Sequence, residues 1–256
     1  RLRGARSVTS LVVVGGLLAA VALLLGSTAV RIRQPAQLGE TIAVVWPDVM
    51  TSLWLGALAA GAIVLAGVGL AWRLARGGAA AWLVGMAVIV LASLPGPVVG
   101  ISLVGLLNHP AWPVDLYDSP LAVAIGYVVR FLPLGVMLLL PAALAVPRAL
   151  CEAARVDGAD ELDVHTRVAW PMMLPALPAV WVLLLILCLG DVGTATLLVA
   201  PGWDTAASRA FSLLHFGVYQ DLAVLGLLTA AHVLAGYIML TLALRWRRGG
   251  EPELTE

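Results

Sequence analysis

Long apolar runs separated by short polar ones dominate this chain, and their lengths carry the first information. A bilayer core needs about 20 predominantly apolar residues per helix. Six stretches are long enough: 11–30, 49–72, 79–107, 120–146, 176–199 and 222–244. The first, Leu11 to Val30, carries no charge, while the fourth includes Arg130 and the fifth Asp191. The third has Pro95 and Pro97 near its middle. The pattern predicts an all-α membrane protein, one domain over 1–256 with six transmembrane helices. One polar loop, 147–175, interrupts the apolar pattern most strongly.

Composition agrees with that class. Of 256 residues, 61% are hydrophobic and only 12% charged, about half the charge of a soluble domain. The net charge is zero, so no basic field is offered to nucleic acid. Every basic residue is Arg, read here as coding bias. Cys151 and Cys188 sit in unlike surroundings and predict no disulfide. The first apolar run follows Arg1, Arg3 and Arg6 as a signal peptide would, yet it is long for one, and five more runs follow. It reads as a retained helix. The chain begins with Arg and not Met, which suits a piece of something longer.

Arginine placement predicts the orientation. With the N-terminus inside, the inner segments hold Arg1, Arg3, Arg6, Arg73, Arg76, Arg148, Arg155, Arg167, Arg245, Arg247 and Arg248. The outer segments hold Arg31, Arg33 and Arg209. Both termini and the polar loop are therefore expected in the cytoplasm of a cell whose inner (plasma) membrane this chain crosses.

Within the loop, 149–156 is rich in helix formers. Gly158 can take a left-handed backbone and close that helix. A second short helix follows, and Pro171 and Pro175 are expected to end the polar segment before the fifth span. The expected product is a compact cytoplasmic knob with an acidic rim. Ala153, Ala154 and Ala159 would let another protein's backbone come close.

The residues of this knob carry a resemblance. Glu152-Ala153-Ala154, three residues, Gly158, nine residues, then Val168-Ala169-Trp170-Pro171 resembles the EAA loop of ABC transporter permeases, with Val168 for Ile and Trp170 for Leu. The segments 93–108, 127–144 and 189–217 look like permeases of the ferric-iron type, and the likeness spans roughly 45–245. That resemblance implies the type I (MetI-like) importer bundle, matching the C-terminal half of a fused permease. It implies a coupling loop whose Glu152, Ala153, Ala154, Asp157, Gly158 and Pro171 contact an ATP-binding subunit dimer. The remaining implied partners are a periplasmic or lipoprotein solute-binding protein, a second permease half (fused or separate) and membrane lipid. The solute would be ferric iron, with thiamine, polyamine, sulfate and phosphonate as alternatives. No Walker A pattern occurs in this chain. It is expected to bind no cofactor and perform no catalysis, ATP and Mg residing on the partner subunit.

Arg130 and Asp191 each lie about ten residues from the outer end of their spans, roughly 15 Å deep at 1.5 Å per residue. A lone charge there costs at least ~2.5 kcal/mol. Two roles fit: a buried ion pair between them, or lining of the translocation path. Gly190 and Gly193 would allow the fifth span to unwind, and Pro95 and Pro97 favour a broken third span. The outer loop 201–220 contains an apolar patch, "AFSLLHFG", expected to form a short re-entrant or interfacial helix. His109, His165, His215 and His232 are scattered, so no metal site is expected.

The rival class is an intramembrane protease. Tyr117-Asp118 and Gly190-Asp191 are faintly similar to the aspartyl type, but its second motif needs Gly where Cys188 stands, and Asp118 falls in a loop. The Gly100-Ile101-Ser102-Leu103 segment lacks the final glycine of the serine type. A membrane anchor without transport activity is the third class.

Overall fold

The computed structural model describes residues 15–16, 19–110 and 116–249, with side chains described as far as 238 and at 241. Among them every regular element is helical. In chain order they are α1 (Ala19–Ala29), α2 (Leu38–Arg76), α3 (Ala79–Ser93), α4 (Gly96–Leu107), α5 (Leu121–Leu144) and α6 (Arg148–Val156). After them come α7 (Glu161–Gly190), α8 (Val192–Leu198), α9 (Ala206–His215) and α10 (Tyr219–Gly249). Four helices are long and apolar enough to cross a membrane, and α3 with α4 makes a bent fifth. Of the first expected span, 11–30, residues 11–14, 17 and 18 lie outside the described residues, and α1 covers most of the rest.

Sequence punctuation explains most boundaries. Pro35 opens a 3-10 turn leading into α2, and Gly77 and Gly78, at φ 75° and 87°, end it. Pro95 has no N–H to continue α3 and pushes Leu94 into the extended region (ψ 128°). The expected break in the third span is therefore present, and α4 leaves α3 at 104°. The interfacial helix expected before the last span is α9, which starts at a capping box between Thr205 and Ser208.

Two boundaries differ from expectation. The second span was placed at 49–72, but α2 runs 39 residues, ~58 Å at the α-helical rise. Its N-terminal end carries Glu40 and Asp48, and Asp48 is paired with Arg209 of α9 at 3.4 Å. Tertiary partners thus extend a helix beyond its hydropathic signal. Pro171 and Pro175 do not end the polar segment either. They lie inside α7, one continuous helical run of 30 residues. The run absorbs them by changing hydrogen-bond register, with a π-turn at Val164–Ala169 just before Pro171 and a 3-10 turn at Leu174–Ala176 around Pro175.

The bundle is knit by small residues, as expected where lipid removes the hydrophobic drive between helices. α2 is central and packs on α5 and α7. Gly135 of α5 receives the Cγ2 of Ile63, and a Cβ at Gly56 would fall 2.9 Å from Leu185 Cδ1. Large apolar side chains face outward instead, including Leu65, Trp82 and Ile89 at 64%, 66% and 67% exposure. In water such a surface would be an aggregation hazard; against acyl chains it is at rest.

Candidate functional site: a capped knob and two broken helices

The knob begins at Pro147 and is built on α6. Its end is a Schellman motif: the Gly158 N–H donates to Arg155 O (3.0 Å) and the Ala159 N–H to Ala154 O (2.9 Å). That motif needs a left-handed residue at 158, and Gly158 supplies φ 91°. After the turn, Asp160 caps α7 by accepting from the Asp163 N–H at 2.7 Å. Arg155 and Glu161 join the two halves across the glycine at 2.5 Å. Both side chains are well exposed, so this pair guides shape more than it stabilises.

The two faces of the knob differ. Glu152, Ala153, Asp157 and Gly158 are exposed, and so is Pro171 farther along on α7. Two apolar tips stand beside them, Val156 at 87% and Leu162 at 68% exposure. The sequence reading did not single these out, although a large aliphatic residue in a polar loop was the available signal. The inner face is anchored. Cys151 is fully buried and its Sγ accepts from Arg76 Nη2 at 2.5 Å. The Arg76 guanidinium lies 3.9 Å over the Trp72 ring, and Trp72 in turn contacts His165 at 5.7 Å between centroids. Ala154 and Ala159 pack partly buried on this same cluster. Their small size therefore serves close approach to the knob's own bundle, contrary to the expectation that all three alanines face a partner. Val168, Ala169 and Trp170, the later part of the motif, also pack inward.

Arg130 and Asp191 do not form an ion pair within 4.0 Å; the bridges among the described residues are Arg155–Glu161, Arg167–Asp163 and Arg209–Asp48. Each charge instead addresses one end of the α3–α4 break. Arg130 Nη1 donates to Leu94 O, the carbonyl that closes α3. Asp191 brings its carboxylate to the first turn of α4, where a Cβ on Gly96 would lie 3.3 Å from Asp191 Oδ1. A cation at a helix C-terminus and an anion at an N-terminus are the favourable pairings with the helix dipole. The ion-pair expectation failed because both helix ends were nearer and chemically suited.

The fifth span is broken where the glycines suggested. Asp191 itself leaves helical geometry (φ −82°, ψ 92°) between α7 and α8. Thr194 Oγ1 donates to Gly96 O at 3.4 Å, and a Cβ on Gly193 would fall 3.0 Å from Pro97 Cδ. The first turns of α4 and α8 thus meet face to face. Two polar atoms around the meeting point are buried without a partner: Arg130 Nε and Asp191 Oδ2. Each such atom costs roughly 1–3 kcal/mol.

Among the described residues, no three His, Cys, Asp or Glu side chains gather as metal ligands. His215 stacks on Phe211 and meets Phe216 edge-on, and His232 lies against Trp46. Cys151 and Cys188 are both free and buried.

Membrane-length helices, two of them broken, and an exposed polar knob make up the arrangement of a membrane transport subunit, and the relatives of the chain are of that class. The chain belongs to the family described as binding-protein-dependent transport system inner membrane component, which matches residues 63–248. It is 30% identical over 195 residues to the putrescine transport system permease protein PotI of Escherichia coli (strain K12), covering 73% of this chain and 68% of that protein. Its fold is similar to a bacterial ABC transporter involved in the import of the acidic polysaccharide alginate (TM-score 0.66, 16% identity, 95% of this chain and 98% of that chain). It is also similar to the MetNI methionine ABC transporter in inward-facing conformations (TM-score 0.61, 16% identity, 83% and 98%). These likenesses carry the type I permease fold and the transport class. They do not support the ferric-iron assignment, since these proteins are described for putrescine, alginate and methionine.

Proposed function

We propose that the chain is the membrane-spanning subunit of an ATP-driven importer and that its solute is a small organic cation of the polyamine class. The likeness to a putrescine permease supports the solute. Thiamine, sulfate and phosphonate are the competing solutes that the resemblance to permeases of the ferric-iron type implied, and ferric iron itself gains no support from the relatives. On this reading an extracytoplasmic binding protein, periplasmic or lipid-anchored, delivers the solute to the outer face. A second permease half, fused or separate, completes the pathway. Both termini and the knob lie in the cytoplasm, as the arginine distribution favours. An ATP-binding subunit dimer, holding ATP and Mg, docks on the knob through Glu152, Ala153, Asp157 and Gly158, with Val156 and Leu162 as apolar anchors. Ala154 acts beneath them as a spacer and Pro171 at the margin.

One observation carries the docking assignment: α6 is capped at its end and locked beneath by the buried Cys151, so it presents a fixed convex surface. A preformed surface loses little entropy on binding. Co-expression with the neighbouring ATP-binding subunit tests this by co-purification and crosslinking at Glu152→Cys. Absence of any ATPase at that position would overturn it. Uptake into vesicles of labelled putrescine, ferric chelate, thiamine, sulfate and phosphonate tests the solute; putrescine is expected to be taken up, and uptake of another member alone would replace it.

A further inference from the structure

We propose that α7 is a lever joining the knob to the break in the third span, and that Asp191 and Arg130 are positioning residues holding that break as a gate. The inference rests on the importer reading above. At its cytoplasmic end α7 starts within the knob, at Glu161, directly after the Schellman turn. It then runs unbroken for 30 residues, ~45 Å at the α-helical rise. Its far end is Gly190, and the next residue is Asp191, whose carboxylate faces Gly96 at the start of α4. The run passes through the π-turn and the 3-10 turn and packs on α2 and α5 along its length, so motion of the knob is carried through the bundle to the break at its far end.

The break suits a two-state element. Arg130 holds the end of α3 and Asp191 the start of α4, so the two charges control two helix ends on either side of Pro95. The α8 turn beyond Asp191 is tied to α4 through Thr194 and Gly96. Moving the end of α7 therefore drags α4 relative to α3. The present arrangement leaves Arg130 Nε and Asp191 Oδ2 buried and unpartnered. A second arrangement that supplies their partners would recover the desolvation cost these atoms carry here.

A charge exchange separates this device from an ion pair. Helix ends have fixed polarity, so Arg130→Asp with Asp191→Arg places like on like at both ends. An ion pair would be restored by the same exchange. The complete transporter, with ATP-binding subunit and binding protein, is reconstituted in vesicles as wild type, Asp191→Asn, Arg130→Gln and the exchanged double variant. A reporter cysteine at the exposed position 102 of α4 (Ser102→Cys) is labelled with and without trapped nucleotide, over the background of the two buried native cysteines. Wild type is expected to change labelling with nucleotide by about fivefold or more, the scale of ordinary coupling between sites. In Asp191→Asn that change is expected to vanish and uptake to fall about tenfold, while the ATP-binding subunit still co-purifies. The exchanged variant is expected to transport less than either single variant. Recovery of transport by the exchange, or a nucleotide-dependent change that persists in Asp191→Asn, would overturn the gate. Loss of the ATP-binding subunit from wild type would instead overturn the importer reading on which the gate rests.

Discussion

Replacing Gly158 by alanine isolates the contribution of one backbone angle to docking. Gly158 sits at φ 91°, and no heavy atom lies within 4 Å of where a Cβ would stand. Alanine therefore meets no clash, and the whole effect is conformational. An L residue on the left-handed side costs ~1–2 kcal/mol. The alternative is to relax and give up the Schellman bonds from Gly158 to Arg155 O and from Ala159 to Ala154 O. Either way the docking shape is destabilised, and ~1–2 kcal/mol corresponds to about 5- to 30-fold in affinity. Asparagine tolerates this region better and should lose less. Proline fixes φ near −65° and deletes the N–H that reaches Arg155 O, so it should lose more. The assay is equilibrium binding of detergent-solubilised permease to its ATP-binding subunit, with membrane abundance measured alongside. The expected order of weakening is Asn, Ala, Pro, at unchanged abundance. If both alanine and proline bind within about twofold of wild type, the conformational argument is refuted.

Other expectations follow from single contacts. Glu152 is exposed and enters no ion pair among the described residues; Glu152→Lys should leave the melting temperature unchanged while weakening ATP-binding-subunit association about tenfold or more in the same binding assay. Gly126 lets α5 approach α8: a Cβ there would fall 2.5 Å from Leu198 Cδ1 and 2.8 Å from Thr194 Cγ2, both on fully buried residues. Gly126→Val should cost ~1–3 kcal/mol by overpacking. That lowers the melting temperature by ~2–12 °C, read by a thiol-reactive dye on the two buried cysteines. Ser52 Oγ accepts the Ala206 N–H at 2.6 Å and fixes the start of α9 on α2. Ser52→Ala leaves that buried donor unsatisfied at roughly 1–3 kcal/mol, visible as faster amide exchange in the first turn of α9.

Much of this protein could be read along the chain. Apolar run lengths located the spans, Pro95 placed the break in the third, and Asp191 between Gly190 and Gly193 marked the break in the fifth. The glycine at 158 closed α6 as expected, because a left-handed cap is a property of one residue's backbone. The knob's inner anchorage was not legible. Arg76 and Cys151 are 75 positions apart, and a thiol partner for a guanidinium has no sequence signal. The capping box at Thr205 and Ser208 was legible in principle, since its residues lie three apart, and was overlooked under the apolar patch that follows it.

The sequence by itself determined the solvent of this protein, the approximate place of its apolar segments, and where its backbone would be interrupted; six spans were expected, and the described residues show four membrane-length helices and one bent pair. These depend on local quantities: transfer free energy summed over a window, and the torsional limits of proline and glycine. Tertiary structure decided how far α2 extends, that α7 passes through two prolines without ending, and which partners Arg130 and Asp191 take. Those outcomes depend on which groups meet in space, and in a low-dielectric interior a charge settles with the nearest suitable dipole. For these two residues the nearest dipoles were the ends of a helix broken between them.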